Sequence, residues 1–270
     1  MSDPAPALPH GTVARTRPCG TDDLLVREEP LLLRIHDSQL LTMRTPGQDE
    51  DLGLGFLVGE GIVLDRSGVA GMELVPGDPA KLRADELHIR LVRAPDAAVR
   101  GRLARTHEIR SSCGACGLSD PQQILEDTPP LLPGVPRVTR HQVHALAEEL
   151  QRRQLVFAAT GACHGALVAT PDGTVMGFGE DVGRHNALDK AIGMALRTGA
   201  DLTRCLVLLS GRTGYDLAVK CLRARIPVIA SVSAPSALAF DLCHAAGATL
   251  LGFVRGSRLQ VYCDGARLAD

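Results

Sequence analysis

Apolar residues come first in short runs. Leu31 to Ile35 and Gln39 to Arg44 are two such runs, parted by the turn residues His36, Asp37 and Ser38, which is a hairpin signal. The period then changes in TPGQDEDLGLGFLVGEGIV. Leu52, Phe56 and Gly59 share a face beside Leu54 and Leu57, and acidic residues fill the first turn. This predicts a helix over Asp49–Gly59, ended by Gly61. Val69 to Val75 and Glu86 to Val92 read as further strands. From His107 to Pro136 the periodicity vanishes, and SSCGACGLSD runs into the proline-rich DTPPLLPGVPR. The expectation there is a long loop and linker.

After Pro136 the pattern alternates between strand and helix. RHQVHALAEELQRR is amphipathic and opens on Thr139 as N-cap. LVFAAT, GALVAT and TVMGFG read as strands. DVGRHNALDKAIGMAL reads as a helix with Leu188, Ile192 and Ala195 on one stripe. CLVLLS, PVIASV, TLLGFV and RLQVYC are strands, and YDLAVKCLRAR and SALAFDLCHAA are helices between them. Near-continuous apolar strands between helices predict a sheet covered on both faces. The expected organisation is a disordered leader over residues 1–11, an α+β domain over 12–106, the loop and linker over 107–136, and a larger α/β domain over 137–270.

Composition changes this picture little. The chain has 270 residues, 45% of them hydrophobic and 22% charged, as in an ordinary folded protein with a real core. The net charge is −2, with 29 basic against 31 acidic residues, so no general nucleic-acid-binding surface is expected. No segment reads as a membrane span, since Ile226 to Phe240 is broken by Pro227 and Pro235. The start, MSDPAPALPHG, has no secretory pattern, and a cytoplasmic location is the expectation.

Eight cysteines are present. Cys205, Cys221 and Cys243 lie in apolar periodic segments and read as small buried hydrophobes. Cys113 and Cys116, in SSCGACG, are the unusual pair. A structural zinc site needs four ligands, and only one such pair is written here; Cys163-His164 sits in a turn that points its side chains apart. A redox pair needs the motif at a helix start within a βαβ unit, whereas glycines flank these cysteines. A sulfur-carrying thiol needs an exposed nucleophile with little bulk around it, which SSCGACG supplies, with Arg105, His107 and Arg110 near enough in sequence to favour a thiolate. Cys116 could then resolve or share the sulfur by thiol exchange. An inert surface loop fits the residues equally well.

Two strand-to-helix loops are candidates for anion binding. In GEDVGRHNALDK, Arg184 and His185 open a helix after Gly179 and Gly183; the competing reading pairs Glu180 and Asp181 with Arg184. SGRTGYDL repeats the arrangement with Arg212. Both loops follow strands and would border a crevice at the sheet's carboxyl edge, with Thr160, Gly161 and His164 of TGACH beside it.

Taken together, EEPLLLRI, TMRTPGQDEDLGLGFLVGEGIV, SSCGACG, GFGEDVGRHNALDKAIG, SGRTGYDLAVKCLRARIPVIASVSAPSALAFDLC and TLLGFVRGSRLQVY resemble the formate dehydrogenase accessory sulfurtransferase family (FdhD), from about Glu28 onward. The resemblance implies a homodimeric cytoplasmic protein, with a cytidine-deaminase-like three-layer α/β domain after the smaller one. It implies a sulfurtransferase that takes persulfide sulfur from a cysteine desulfurase. The acceptor would be the bis-molybdopterin guanine dinucleotide form of the molybdenum cofactor, for formate dehydrogenase. GDP would serve as a ligand mimic. It places the persulfide on Cys113, with Cys116 assisting. The cofactor would lie on Phe253, Val254, Arg255, Gly256, Ser257 and Arg258, where two arginines and a small-residue turn suit a pyrophosphate. Neither a protein-ligated metal nor a membrane or nucleic-acid partner is implied.

Zinc-dependent deamination, the rival that such a fold suggests, needs H-x-E and later P-C-x-x-C. Here His164 is followed by Gly165 and Ala166, and Ser112 precedes the CxxC. The chain departs from the family pattern at Ala162, where glycine is usual, with an extra thiol at Cys163, and at Leu118, where lysine is common.

Overall fold

The structure is a computed structural model that describes residues 8–78, 81, 83–106, 121–128 and 130–269. Cys113 and Cys116 lie outside the described residues.

The chain begins with a hairpin of β1 (Thr12–Thr16) and β2 (Asp22–Val26). The expected second hairpin follows as β3 (Glu29–Ile35) and β4 (Ser38–Arg44), in the register Ile35↔Ser38. The helix predicted over Asp49–Gly59 is α1, and Gly61 beyond it has φ 67°, a left-handed stop. β5 (Val69–Val75) and β6 (Asp85–Leu91) complete a four-stranded sheet in the order β4-β3-β6-β5, with β3 parallel to β6. Leu31, Leu33, Leu87 and Ile89 point inward from it and pack against Leu52, Phe56 and Leu57 of α1. A helix not foreseen, α2 (Ala97–Thr106), adds Leu103 to this core.

The linker is not structureless. Pro121–Asp127 forms α3, whose Ile124 is buried in the larger core. Two adjacent apolar residues, Ile124 and Leu125, in so short a segment leave no period to read. β7 (Val138–Thr139) then leads into α4 (Arg140–Arg153). Thr139 caps α4 as expected and forms a capping box with Gln142.

LVFAAT is a correction. Its branched and aromatic residues suit a strand, yet Leu155–Thr160 is the short helix α5. The cause is tertiary: the Glu180 carboxylate accepts from the amides of Val156 (3.0 Å) and Phe157 (2.7 Å), and Gly161 at φ 69° closes the turn.

The remaining elements alternate as expected: β8 (His164–Ala169), β9 (Val175–Asp181), α6 (Arg184–Arg197), β10 (Leu206–Leu209), α7 (Tyr215–Arg223), β11 (Val228–Ser231), α8 (Ala237–Ala245), β12 (Thr249–Arg255) and β13 (Arg258–Cys263). A short β14 (Leu268–Ala269) pairs with β7. The sheet has six strands in the order β13-β12-β11-β10-β8-β9. Ala166, Val168, Val207, Leu209 and Ile229 face α6, α7 and α8, while Leu167, Leu206, Leu208, Val228 and Leu251 face α4. The result is three layers, with the sheet in the middle, as the doubly apolar strands required. Among the described residues no helix is long and apolar enough to cross a membrane.

α1 joins the two parts. A Cβ on Gly55 would lie 1.8 Å from the Asp189 carbonyl oxygen, and one on Gly193 would lie 1.9 Å from that of Asp51. α1 and α6 therefore touch backbone to backbone, and glycine is required at both positions.

Candidate functional site

β10, β11 and β12 run parallel, and β8 runs against β9 and β10. The ends of β9, β10, β11 and β12 and the start of β8 therefore meet on one rim. The four sequence-predicted loops lie there together: TGACH, GEDVGRH, SGRTG and FVRGSR. Ligands of open α/β sheets bind at such carboxyl edges.

On the α4 side of this rim is a cavity of about 550 Å³. Cys163 and His164, Ser210 and Gly211, and Val254, Arg255 and Gly256 line it. One face of α4 supplies the opposite wall through His144, Glu148 and Gln151, and Phe157 of α5 flanks it. The volume is in the range of small-molecule sites.

The FVRGSR turn owes its shape to a β-bulge. The pairing skips from Gly252↔Gln260 to Arg255↔Arg258, so Phe253 and Val254 oppose Leu259 alone. Phe253 takes φ 53°, uncommon for a bulky residue and worth a functional explanation. The bulge divides the stretch. Val254, only 1% exposed, turns into the core under the cavity. Phe253 lies under the Arg258 guanidinium, 4.1 Å from its ring centre. Gly256 at φ 55° opens the tight turn, Ser257 is exposed, and Arg255 borders the cavity without an acidic partner among the described residues.

Arg184 and His185 are placed differently. The Asp216 carboxylate, in the first turn of α7, lies 3.5 Å from Arg184 and is hydrogen-bonded to His185. Burial, with help from the Lys220 and Arg184 charges, pushes His185 down to about 4 against the pull of Asp216, so the ring is neutral at pH 7. Neither residue lines the cavity. Of the acids in the competing pairing, Glu180 caps α5, and Asp181 pairs with Lys190 at 2.7 Å. Arg212 is exposed on the same rim, outside the cavity lining.

Two more rim residues have shifted protonation. Burial and the Arg184 charge lower His164, which is neutral at pH 7. Cys163 is 4% exposed, and burial pushes its thiol up to about 11. It contacts Thr45 rather than a base, at 3.9 Å. Burial likewise raises Cys205, Cys221 and Cys243, as the hydrophobe reading requires. Among the described residues no cluster of three or more His, Cys, Asp or Glu side chains is set to hold a metal ion.

Sequence reasoning missed the α4 wall. His144, Glu148 and Gln151 recur at helical spacing, but every amphipathic helix has a polar face, and nothing local marks this one as facing a cavity. It also missed a buried polar latch. Asp181 accepts from the Thr45 amide (3.0 Å), the Gly183 amide (2.9 Å) and Asn186 (3.2 Å), and Lys190 donates to the Thr45 carbonyl (2.7 Å). Much of GEDVGRHNALDK therefore serves to dock the TPGQDED segment onto the larger sheet.

This architecture has counterparts among known proteins. The chain superimposes on the crystal structure of a Desulfotalea psychrophila protein, provisionally described as a formate dehydrogenase accessory protein, with a TM-score of 0.71. The match covers 96% of this chain and 97% of that one at 24% sequence identity, which speaks for a shared fold. It is 42% identical to the sulfur carrier protein FdhD of Anaeromyxobacter dehalogenans, over 98% of this chain and 95% of that protein. It is 40% identical to the protein of the same name from Streptomyces coelicolor, over 94% and 90% respectively. The family model described as FdhD/NarQ matches residues 26–269. With its motif-bearing loops gathered on one rim and this match running almost end to end, the chain belongs to the FdhD/NarQ family.

Proposed function

We propose that this protein is a sulfur carrier for the maturation of formate dehydrogenase. The observation that carries the reading is the kinship, over 98% of the chain, with a protein named for that carriage. In this reading the Cys113 thiolate attacks the outer sulfur of a cysteine desulfurase persulfide. The donor S–S bond breaks, the donor thiolate leaves, and Cys113 becomes the persulfide. Once the acceptor is bound, attack of Cys116 on the inner sulfur passes the carried sulfur to it as sulfide. The cysteine pair supplies its two electrons and is left as a disulfide. Among the cysteines of the described residues, all but Cys19 are buried, which suits them to packing rather than relay.

The acceptor is bis-molybdopterin guanine dinucleotide, held as substrate. The rim cavity supports this assignment: Arg255 brings to it, beside the Gly256 turn, a guanidinium that has no acidic partner among the described residues. Ser257, Phe253 and Arg258 complete the binding turn, and Arg184, His185 and Arg212 belong to the rim further along. Within this reading the larger unit is cytidine-deaminase-like, the protein is a cytoplasmic homodimer, and no protein-ligated metal takes part.

Intact mass spectrometry after incubation with a cysteine desulfurase and cysteine tests the carrier step. The expected result is a gain of one sulfur atom in wild type and in Cys116→Ala, absent in Cys113→Ala. A wild type that gains no sulfur but still binds GDP would be a cofactor chaperone instead.

A further inference from the structure

The cavity holds one feature that anion binding does not use. The ion pairs at the end of α4 run through Glu149, to Arg152 and to Arg153 (2.6 Å), and leave out its neighbour Glu148. Glu148 lines the cavity and has neither an ion-pair nor a hydrogen-bond partner among the described residues. Arg255 lines the same cavity and is equally unpaired, so the two do not neutralise each other across it. A cavity with an unpaired carboxylate on one wall and an unpaired guanidinium on another fits a ligand with two unlike poles: an anion and a hydrogen-bond donor edge. Phe157, half exposed at the margin, and the apolar Leu150, Val232 and Val254 suit a flat ring system between the poles.

We propose that Glu148 is the base-specificity residue of this site. This rests on the reading above that the cavity takes a guanine nucleotide end. A carboxylate offers only acceptors, two oxygens side by side. Guanine presents two adjacent donors, the ring N1–H and the exocyclic amine, and pairs with it through parallel charge-assisted hydrogen bonds. Adenine presents one donor beside an acceptor nitrogen, which a carboxylate repels. Arg255 holds the phosphate whatever the base. His144 and Gln151, one turn to either side of Glu148 on α4, flank the base edge.

The test is titration calorimetry of the full-length protein with GDP, IDP and ADP, for wild type and for Glu148→Gln, Glu149→Gln and Arg255→Ala. Inosine lacks the exocyclic amine, so wild type should bind in the order GDP, IDP, ADP. Loss of a charged hydrogen-bond acceptor should weaken GDP in Glu148→Gln by about tenfold or more and narrow its preference over ADP. Glu149→Gln should bind as wild type does. Arg255→Ala should weaken all three nucleotides alike. Glu148 is exposed, so matching thermal melts are expected for its variant, and Glu148→Ala gives a second measure of the same loss. GDP binding unchanged in Glu148→Gln, with wild type binding GDP, overturns the assignment of Glu148 alone. A wild type that binds none of the three nucleotides overturns the nucleotide reading of the cavity and Glu148 with it.

Discussion

Cys163 shows how little a residue type says about reactivity. A thiol in a turn, beside a histidine and next to a ligand cavity, has every local mark of a nucleophile. Burial reverses this, because a buried thiolate has lost its water. The folded protein holds the Cys163 proton up to about 11, against 9.0 for the free group. The sign follows: the folded state binds this proton more tightly than the unfolded chain does. Its contribution to stability is full below pH 9 and is lost as pH rises toward 11. Denaturant unfolding across that window should show falling stability in wild type, and less of a fall in Cys163→Ala. Alkylation of native protein at pH 7 should modify Cys19, which is exposed, well before Cys163. The sequence identified Cys205, Cys221 and Cys243 as buried because apolar neighbours recur around them. It left Cys163 open because a turn has no period.

At the scale of elements, the glycines of α1 and α6 matter most. In the sequence the glycines of Asp49–Gly59 weaken the helix pattern, since glycine lowers helix propensity. The structure shows why they stand there: Gly55 and Gly193 let two helix backbones meet. Gly193→Ala should cost roughly 3 kcal/mol or more, because backbone rather than a flexible side chain blocks the added methyl. Gly101→Ala in α2 is the control. Among the described residues nothing lies within 4 Å of its added Cβ, and the change should stabilise by about 0.5–1 kcal/mol. Thermal melts of both variants check the pair. Strand and helix alternation after Pro136 was legible because each apolar run belongs to one period. LVFAAT was misread because a carboxylate from β9, distant in sequence, caps it.

At the scale of the whole molecule, Asp181 and Lys190 are 0% and 1% exposed, and tie the N-terminal segment to the larger sheet through Thr45. Lys190→Met leaves Asp181 buried with amide donors alone. The expected loss is about 3–5 kcal/mol, with hydrogen exchange rising together in β3, β4 and α1, since removing one partner of a buried pair strands the other charge. Rising exchange confined to α6 would show that the latch does not hold the two parts together. The three-layer plan, the hairpin, the capping of α4 and the motifs that mark family membership were legible in the sequence. These rest on periodicity, turn chemistry and short-range spacing, which local residues specify. The packed fold sets which loops share a cavity. It also sets Arg184 and His185 against Asp216, leaves Arg255 without an acidic partner among the described residues, and brings a plain polar helix face in to close the site. Those outcomes depend on which strand ends meet at one rim and which charges burial forces together, and contacts between residues so far apart in the chain leave no period to read.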